Sequence, residues 1–583
     1  MFRLTKAYYE NSDNQNKAVQ LSTEIADCLM QSGCHIGNNV VIAAYLLHKA
    51  SQYNNPFGIT INSIADGAMD VNDDIKQLAD KCFSEEVWQR LLKLVMKYSP
   101  EDFAMAAVMP MNDNDQKEAM TTPNSILKLA NELLAVEANE LVADVCCGSG
   151  TYLVNAALEE DEAHYSGFEI NPEIGSIAAM RAELIDADVQ VTICDAFTLT
   201  DSKDTPKFDK IFANYPFGWK LKNLGVGANY LVHLADEYPG LSKATSSDWV
   251  FNALLCDLLS ETGKAVGIMT NGSTSNSIDT PMRKYFVEHK MVECVISLPN
   301  RMFSSTNIPT TMIVLSHNND RVRMIDATKL CQQGRRQNEF SDQDIAAIID
   351  ALTTDSEYSK ELSIDDLRQN EYCLSISRYA QDNLCFSNGV PFESVIQSIT
   401  RGAPCTASQL DEMVSDTETN MQYLMLANIQ NGMIDDKLPY LSAIDPKYSK
   451  YCLKNNSLIL SKNGFPYKVA VATVEDGHFI LANGNLYIIE LDEAKANPYY
   501  VKAFFESEQG HAVLKSITVG ATIPNIGVDK LKKVQIPLPP MEEQKRVALK
   551  YQMALEEIAR IKMQLENAVC KLHHVFDEEC SGT

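Results

Sequence analysis

The feature that most constrains the fold is an apolar run that breaks into a glycine-rich turn. Leu141 to Val145 has the composition of a buried strand, and the chain continues through Asp144-Val-Cys-Cys-Gly-Ser-Gly150 into an apolar helical stretch from Tyr152 to Leu158. A strand, a glycine turn and a helix in this order place backbone N–H groups and closely approaching glycines beside a bound ligand. The pattern therefore predicts an α/β sheet with a ligand site at the end of this strand.

Two further strand-like segments continue a βαβαβ rhythm, and each ends in an acid. Ser166 to Glu169 is followed by a helical stretch from Ile174 to Leu184, and then by Val191 to Asp195. Ligands of open α/β sheets bind where such strands end. We expect Glu169 to accept hydrogen bonds from ribose hydroxyls and Asp195 to accept one from an adenine amino group. Because no G-x-G-x-x-G pyrophosphate motif is present, the spacing favours S-adenosylmethionine over a dinucleotide.

A second short motif, Asn214-Tyr-Pro-Phe217, follows another apolar run. It offers an amide side chain, exposed carbonyls and an aromatic ring, which are the groups needed to hold a planar amino group and to stack on its ring. Either motif alone is a weak signal. Their order, and the acid-ending strands between them, indicate that they form one site.

Residues 118 to about 380 resemble the modification subunit of type I restriction systems, an N6-adenine DNA methyltransferase of the gamma motif order. Besides the motifs above, the segments that carry the resemblance are Thr122-Pro123 ahead of an amphipathic helix, Ser247-Asp-Trp-Val-Phe251, Gly263-Lys-Ala-Val-Gly-Ile268, Val295-Ile-Ser-Leu-Pro299, Arg301-Met-Phe303, Thr310-Thr-Met-Ile-Val314, Glu371-Tyr-Cys-Leu-Ser375 and Arg378-Tyr379. The resemblance implies S-adenosyl-L-methionine as the cofactor. The cofactor-binding residues that it implies are Thr122, Pro123, Asp144, Cys146, Gly148, Ser149, Gly150, Glu169, Asp195 and Ala196. The implied catalytic residues are Asn214, Tyr215, Pro216 and Phe217.

In the implied reaction, an adenine leaves the DNA duplex at a cost of roughly a few kcal/mol. Phe217 would stack on the base, while the Asn214 side-chain oxygen and the backbone carbonyl of Tyr215 would accept hydrogen bonds from N6. The family has proline where this chain has Tyr215. Tyrosine keeps the carbonyl but loses the fixed φ of proline, so we expect a slower reaction, with an inactive loop as the alternative. The asparagine favours adenine N6 over cytosine N4.

A second resemblance begins after Asn388-Gly389. The segment Gly520-Ala-Thr-Ile-Pro-Asn-Ile526, with Val534 to Arg546, resembles the end of a target recognition domain in type I specificity subunits. Within the same region, Asn456 to Val471 resembles the strand, glycine loop and strand with which that family approaches DNA. Lys462, Asn463 and Lys468 are therefore expected to contact phosphates or base edges. The alternative is a solvated hairpin tip with ordinary lysines.

A long helix is predicted from about Pro540 to Val575. Its apolar residues recur at three- and four-residue steps: Val547, Tyr551, Leu555, Ile558, Ile561, Leu565, Val569 and Leu572. Such a seam predicts packing against another helix, and we expect a homodimer formed through this helix. A symmetric dimer would bind two inverted half-sites in double-stranded DNA. The alternative is a single copy on a shorter, asymmetric site.

The composition is compatible with this function but does not point to it. The net charge of −28 has the wrong sign for a DNA-binding protein, so we expect a basic cleft on an acidic body. The N-terminus has no apolar signal core, and no apolar run reaches membrane-spanning length, which predicts a cytoplasmic protein without a membrane partner. The 15 cysteines lack a C-x-x-C pair, so reduced thiols are expected and no metal site.

The predicted fold class is α/β in four parts. These are a helical N-terminal domain (1–115), a Rossmann-like S-adenosylmethionine-dependent adenine-specific DNA methyltransferase domain (116–385), an α+β target recognition domain (386–538) and a C-terminal dimerisation helix (539–583). Ser99 to Asp102 is expected to be a helix N-cap, not part of a nuclease site. The chain is therefore not expected to cut DNA unaided, and a separate restriction subunit is a further candidate partner.

Three functional hypotheses follow from these predictions. The first is a sequence-specific DNA adenine methyltransferase that belongs to, or derives from, a restriction-modification system. The second is a protein or RNA amino-methyltransferase, against which the C-terminal recognition region argues. The third is a DNA-binding protein that keeps the fold but has little catalytic activity.

Overall fold

The computed structural model of this chain describes residues 3–67, 69–109, 122–201, 205–219, 230, 234, 238, 245–303, 306, 308–335, 337–356, 358–379, 386, 388–405, 409–410, 412–519 and 524–580. The chain divides into two compact units, Met1–Ile376 and Ser377–Thr583. The predicted domain boundaries near residues 115 and 538 do not coincide with this division. Hydrophobic cores that continue across both positions account for the difference.

The first unit begins with seven α-helices in its described part. They are α1 (Lys6–Tyr9), α2 (Ser12–Gln31), α3 (Asn38–Ser51), α4 (Ile61–Ala65), α5 (Asp73–Cys82), α6 (Glu85–Leu92) and α7 (Pro100–Val108). The predicted helical N-terminus is thus confirmed. Ser99 is the N-cap of α7, where its hydroxyl accepts a hydrogen bond from the Asp102 N–H. These N-terminal helices share one continuous core with the sheet that follows them, through buried residues such as Leu46, Phe103 and Leu153.

A nine-stranded sheet forms the centre of the first unit. Its strands are β1 (Leu141–Asp144), β2 (His164–Glu169), β3 (Asp188–Ile193), β4 (Phe208–Ala213), β5 (Leu259–Thr270), β6 (Val292–Ser297), β7 (Thr310–Leu315), β8 (Arg321–Asp326) and β9 (Ser359–Ser363). Their order is β3-β2-β1-β4-β5-β7-β6-β8-β9, with the first five parallel and β7 antiparallel to both of its neighbours. The chain moves outward from β1 and then returns to β4, which opens a crevice at the carboxyl ends of these two strands.

The described part of the first unit contains seven further α-helices. They are α8 (Asn124–Leu134), α9 (Thr151–Glu159), α10 (Pro172–Glu183), α11 (Ser247–Leu258), α12 (Thr280–Glu288), α13 (Asp342–Asp350) and α14 (Ile364–Gln369). α10 begins with a proline in its first turn, and the Asn171 side chain caps it by accepting from the N–H groups of Glu173 and Ile174. Short capped loops of this kind fix the positions of the side chains that follow the strands.

The second unit is rich in short strands. They are β10 (Gly389–Pro391), β11 (Ile396–Arg401), β12 (Val414–Ser415), β13 (Met421–Leu424), β14 (Ile429–Gln430), β15 (Met433–Ile434), β16 (Tyr440–Leu441), β17 (Leu458–Ser461), β18 (Val469–Val471), β19 (Phe479–Ala482), β20 (Leu486–Leu491), β21 (Thr518–Val519), β22 (Asn525–Ile526) and β23 (Gln535–Pro537). Two four-stranded sheets, β11-β20-β17-β18 and β12-β16-β13-β19, dominate this unit. The start of the motif predicted at Gly520, residues 520–523, lies outside the described residues.

In its described part, the second unit also contains four α-helices: α15 (Pro498–Phe505), α16 (Glu508–Ser516), α17 (Val528–Lys533) and α18 (Met541–Cys580). Gln544, only 1% exposed, fixes the start of α18: its amide donates to the carbonyls of Lys495 (3.0 Å) and Pro539 (2.8 Å) and accepts from the Asn497 N–H (2.9 Å). The long predicted helix is therefore part of this unit at its first turns. Among the described residues, none of the helices combines the length and the apolar character that a membrane crossing needs.

Candidate active site

A cavity of about 540 Å³ lies at the carboxyl ends of β1 to β4. The predicted site residues that line it are Cys146, Gly148, Ser149, Glu169, Asp195, Ala196, Asn214, Tyr215, Pro216 and Phe217. Four other predicted residues, Thr122, Pro123, Asp144 and Gly150, stand behind this lining. The sheet topology thus brings the glycine turn, both acids and the Asn214 motif to one place, because neighbouring parallel strands end at the same edge.

Two acidic side chains accept hydrogen bonds from the backbone of the glycine turn after β1. The buried Asp144 carboxylate accepts from the Cys146 N–H at 3.2 Å, and Glu169 accepts from the Gly148 N–H at 3.0 Å and the Asn171 N–H at 2.8 Å. Burial raises the pKa of Asp144 to about 8, and the negative charge of Glu169 adds to this shift. The Asp144 carboxyl group, where β1 ends and the turn begins, is therefore mostly protonated at neutral pH in the free protein.

Two glycines of this turn have different reasons to be glycine. Gly150 has φ +78°, and a Cβ there would come within 3.0 Å of the Ala178 Cβ on α10. Gly148 has φ +52°, but no atom lies within 4 Å of where its Cβ would be, because it faces the cavity. Gly150 allows the close packing of α10, and Gly148 leaves room for a ligand to approach the backbone.

Asp195 follows β3 and keeps part of its carboxylate available to a ligand. Its Oδ1 accepts from the Phe197 N–H at 3.1 Å, which fixes the turn. Asp195 and the buried Ala196 both line the cavity. This arrangement suits an acceptor for an amino group at this end of the cavity.

The Asn214 amide at the end of β4 is oriented by Thr122. Its Nδ2 donates to the Thr122 hydroxyl at 2.9 Å, so that the amide oxygen is left to accept a hydrogen bond from a ligand. Thr122 is buried, and Pro123 occupies the N-cap position of α8 directly after it. The structure therefore places Thr122 against the Asn214 motif instead of in the cavity wall.

Tyr215, at the position where the family resemblance predicts proline, is held by its side chain. The phenol is 1% exposed, donates to the Asn252 Oδ1 at 2.9 Å and stacks on Phe251 with a centroid distance of 4.8 Å and an interplanar angle of 6°. Burial raises the pKa of this phenol, which keeps it a neutral donor. Packing of the side chain thus restricts the loop in place of the lost ring constraint.

Aromatic side chains form the outer part of the cavity. The half-buried Phe217 meets Phe303 edge to face, with a centroid distance of 5.5 Å and an interplanar angle of 76°, and Trp219 stacks on Phe251 at 6.2 Å with an interplanar angle of 23°. All four line the cavity together with the exposed Pro216. A planar ring entering here meets stacking faces on the side of the Asn214 amide.

Several site residues escaped the sequence reasoning. They are Asn38, Arg181, Phe251, Asn252 and Phe303. Phe251 and Phe303 stand within segments that carry the family resemblance, so their motifs were a signal. Asn252 contacts the site through Tyr215, and Asn38 and Arg181 lie on helices without a motif.

In the second unit, three loops meet at one end of β20. Lys462 donates its backbone N–H to the Asn485 carbonyl, Asn463 donates from Nδ2 to the Asn485 Oδ1 at 3.3 Å, and Asn463 forms a β-bridge to Asn525. Lys468 is placed differently: its ammonium donates to the Leu426 carbonyl at 3.0 Å and is partly buried. This hydrogen bond ties the Lys468 side chain to the backbone at Leu426, which is a structural contact.

Two protein-family models match this chain. Residues 108–384 match the model of the N-6 DNA Methylase family, and residues 419–569 match the type I restriction modification DNA specificity domain. The chain joins an N-6 DNA methylase domain to a type I specificity domain. The predicted family resemblance and the predicted fold class are both confirmed.

Individual relatives are methylase subunits of type I restriction enzymes. The HindI methylase subunit of Haemophilus influenzae is 27% identical over 306 residues, which cover 48% of this chain and 67% of that protein. The MjaVII methylase subunit of Methanocaldococcus jannaschii is 25% identical over 371 residues, covering 55% and 62%. The chain spans between about half and two thirds of the length of such relatives, from 49% to 67%.

A solved structure supports the fold. The methyltransferase subunit of a type I restriction-modification system from Streptococcus thermophilus superimposes with a TM-score of 0.50 at 17% identity, covering 62% of this chain and 98% of that one. At this identity the likeness concerns the fold. The specificity domain lies C-terminal to the methylase domain in this one chain.

Proposed function

We propose that the chain transfers a methyl group from S-adenosylmethionine to N6 of an adenine in DNA. The observation that carries the proposal is the Asn214 amide, which Thr122 orients at the edge of a cavity that also contains Glu169 and Asp195. An amide oxygen and carboxylates in one cavity suit an amino-group acceptor beside a nucleoside site. The specificity domain favours DNA over protein or RNA as the substrate.

The residues present fit the proposed cofactor. A cavity of about 540 Å³ falls in the range of roughly 300–1,000 Å³ that holds drug-sized ligands. Gly148 leaves open space where a Cβ would project. Glu169 would accept from the ribose hydroxyls and Asp195 from the adenine amino group. The cofactor would supply an electrophilic methyl group.

The protein groups hold and orient the target base. Asn214 Oδ1 and the Tyr215 carbonyl accept the two N6 hydrogens, and Phe217 offers its ring face. Phe303 stands against Phe217 and limits how far that ring can turn. The methyl group would leave the sulfonium as its C–S bond breaks, with S-adenosylhomocysteine as the leaving group. The nitrogen, made acidic by its new bond to carbon, would lose a proton to water, so a strong general base is not required.

The decisive experiment is expression of the chain in a host that lacks adenine methylation. Sequencing of the genomic DNA by a method that detects N6-methyladenine is expected to show one consensus motif, absent when Asn214 is replaced by alanine. Unmodified DNA from a protein that binds S-adenosylhomocysteine and DNA would favour the catalytically weak DNA-binding alternative. Addition of a separate restriction subunit would then show whether a partner is needed.

Cofactor affinity is expected to rise with pH. The free Asp144 carboxyl has its pKa raised to about 8, and Glu169, Cys146, Cys147 and Tyr152 are the titratable groups around it. The cofactor brings an ammonium and a sulfonium, which favour the ionised carboxylate. Binding is therefore expected to release a proton near pH 7, and affinity is expected to increase from pH 6 towards pH 8 before it levels off.

Calorimetric titration in buffers of different ionisation enthalpy measures this proton release. Asp144→Asn keeps the shape of the side chain and removes the titration, so its affinity is expected to be independent of pH over the same range. Equal pH dependence in the wild type and in the variant would contradict the assignment to Asp144.

We propose that the loops at one end of β20 contact DNA. Lys462 supplies a charge, Asn463 and Asn485 supply amides, and Arg401 stands beside them with its Nε donating to the Gly484 carbonyl at 2.6 Å. Amides suit base edges and lysine suits phosphates. Lys462→Ala is expected to weaken binding to all sequences and to reduce the salt slope by about 1.

A matched control for Lys462→Ala is Lys495→Ala, because Lys495 lies beyond the other end of β20 and pairs with Asp492 at 3.1 Å. Binding to a target duplex and to an unrelated duplex is measured as a function of salt. An equal loss of affinity in the two variants would contradict a DNA-contacting role for the β20 loops.

We propose that two copies associate through α18. From Met553 to Leu572 most of its described apolar side chains are exposed, with Ile558 at 42%, Ile561 at 53% and Leu565 at 63%, while Leu555 is half-buried. The steps of three and four residues match a coiled-coil seam, and a second copy of the same helix offers the complementary face. Pairing would provide two specificity domains from a chain that carries one.

Light scattering is expected to give twice the chain mass of 64.8 kDa for the wild type. Ile561→Glu combined with Leu565→Glu should yield the monomer, because charges in a buried seam remain unpaired. Met563→Glu adds a charge at a 66% exposed position beside the seam and should leave the dimer intact. A monomeric wild type would refute the dimer.

A further inference from the structure

One part of the cofactor cavity comes from outside the methylase match. Asn38, the first residue of α3, lines the cavity together with Gly148 and Ser149, although the family match begins at residue 108. The N-terminal helices therefore reach the site that the sequence motifs form. A residue there can contact the cofactor directly.

The charged lining of the cavity is acidic. Of the described residues that line it, Glu169 and Asp195 are the ones with a charge, and the others are neutral. The methionine part of the cofactor carries an ammonium, which suits these acids, and a carboxylate, which does not. A carboxylate taken from water needs hydrogen-bond donors and a favourable potential.

A buried cation stands directly behind Ser149. The Arg181 guanidinium is 2% exposed, and its Nη1 donates to both the carbonyl and the hydroxyl of Ser149 at 3.0 Å. Its other N–H groups reach the carbonyls of Ala107 (3.0 Å) and Met109 (3.5 Å). Burial lowers the pKa of Arg181 only to about 10, so it stays charged at neutral pH. Within the described part of the chain it forms no ion pair, and its positive field remains available.

The helix packing puts Asn38 at the same end as Arg181. His48 on α3 contacts the carbonyl of Pro100 at the start of α7, at 2.7 Å, so the two packed helices run in opposite directions. The beginning of α3, with Asn38, therefore lies near the end of α7, where Arg181 holds Ala107 and Met109. Neutral donors and a buried cation meet at this corner of the cavity.

We propose that Asn38 and Ser149 bind the carboxylate of the methionine part of the cofactor, with Arg181 as a positioning residue behind them. The inference rests on the proposed use of S-adenosylmethionine. It gives the N-terminal helices a function within the methylase site, because they carry Asn38 and accept two of the hydrogen bonds that fix Arg181.

Comparison of two ligands separates the amino-acid group, which carries the carboxylate, from the rest of the cofactor. S-adenosylhomocysteine has the carboxylate, whereas 5′-methylthioadenosine keeps the nucleoside and the thioether without the amino-acid group. For Asn38→Ala, calorimetry is expected to show about tenfold weaker binding of the first ligand, as for a lost hydrogen bond to a charged group, and unchanged binding of the second. Asn39→Ala is the control, because the Asn39 amide donates to the His35 carbonyl at 3.0 Å and is not in the cavity lining.

The role of Arg181 is tested with two substitutions that differ in charge. Arg181→Lys keeps the charge and Arg181→Met removes it, and thermal unfolding shows whether each variant is folded. The ratio of the two ligand affinities should stay near the wild-type value in the lysine variant and fall in the methionine variant. A merely structural role would weaken both ligands alike.

Two outcomes would overturn the inference while the proposed function stands. These are unchanged S-adenosylhomocysteine binding in Asn38→Ala, and an equal loss for both ligands. A wild-type chain that binds neither ligand would instead contradict the proposed use of the cofactor, and this inference would fall with it.

Discussion

Replacement of Asn214 by alanine is expected to lower the rate of methyl transfer to DNA by roughly 10²-fold or more, the usual effect of removing one preorganised polar group from a reacting centre. Cofactor affinity should stay close to the wild-type value. The reason is geometric: the Asn214 amide donates to the Thr122 hydroxyl at 2.9 Å, and the remaining amide oxygen is the group that we propose to hold N6. Transfer of a labelled methyl group and binding of S-adenosylhomocysteine are measured on the same preparations.

A matched control for this variant is Asn131→Ala. The Asn131 amide also donates one hydrogen bond of 2.9 Å, to Asn155, but it lies outside the cavity. Thr122→Val refines the test, since it keeps the side-chain shape but leaves the Asn214 amide free to rotate. We expect a loss in kcat that is smaller than for Asn214→Ala, with KM nearly unchanged. A wild-type rate in Asn214→Ala would exclude the proposed role of this residue.

Tyr215→Pro is expected to slow the reaction and to destabilise the protein, even though it restores the residue that the family has. Loss of a buried aromatic side chain costs about 3–5 kcal/mol of unfolding free energy where the space cannot close. The change also leaves the buried Asn252 Oδ1 without its donor, which costs about 1–3 kcal/mol more. Proline regains a fixed φ, but it cannot stack on Phe251 as tyrosine does.

Tyr215→Phe separates the two contributions. It keeps the stacking on Phe251 and removes only the hydroxyl, so a loss of about 1–3 kcal/mol is expected. Denaturant unfolding gives the free energies, and methyl transfer measured well below the unfolding midpoint gives the rates. A Tyr215→Pro variant with a higher kcat and unchanged stability would show that the side-chain packing does not replace the proline ring.

These two predictions concern one loop that is held from both sides. Thr122 holds the Asn214 side chain, and Asn252 with Phe251 holds the Tyr215 side chain. Gly267 contributes by leaving space, because a Cβ there would come within 3.0 Å of the Asn252 Oδ1. The departure from the family motif at position 215 is therefore matched by its surroundings, and the expectation of a slower reaction has to be tested against this packing.

The position of the N-terminal helices next to the methylase sheet becomes clear only from the fold. In the sequence they carry a helical period and no motif, which leaves their role open. In the structure they share a core with the methylase sheet, and the carbonyls at the end of α7 hold Arg181. Helical period predicts which face is buried, but it does not predict which neighbour that face will meet.

The sequence by itself determined the strands, the glycine turn, the acids at the strand ends and the long C-terminal helix. These features depend on local apolar periodicity and turn chemistry, which neighbouring residues decide. Only the tertiary structure decided how the site is held. Thr122 meets Asn214 across 92 residues, Tyr215 meets Asn252 across 37, and Arg181 meets Ser149 across 32. Each of these contacts joins single side chains from separate elements, and no local pattern records which distant partner the packing of the sheet will bring within hydrogen-bond distance.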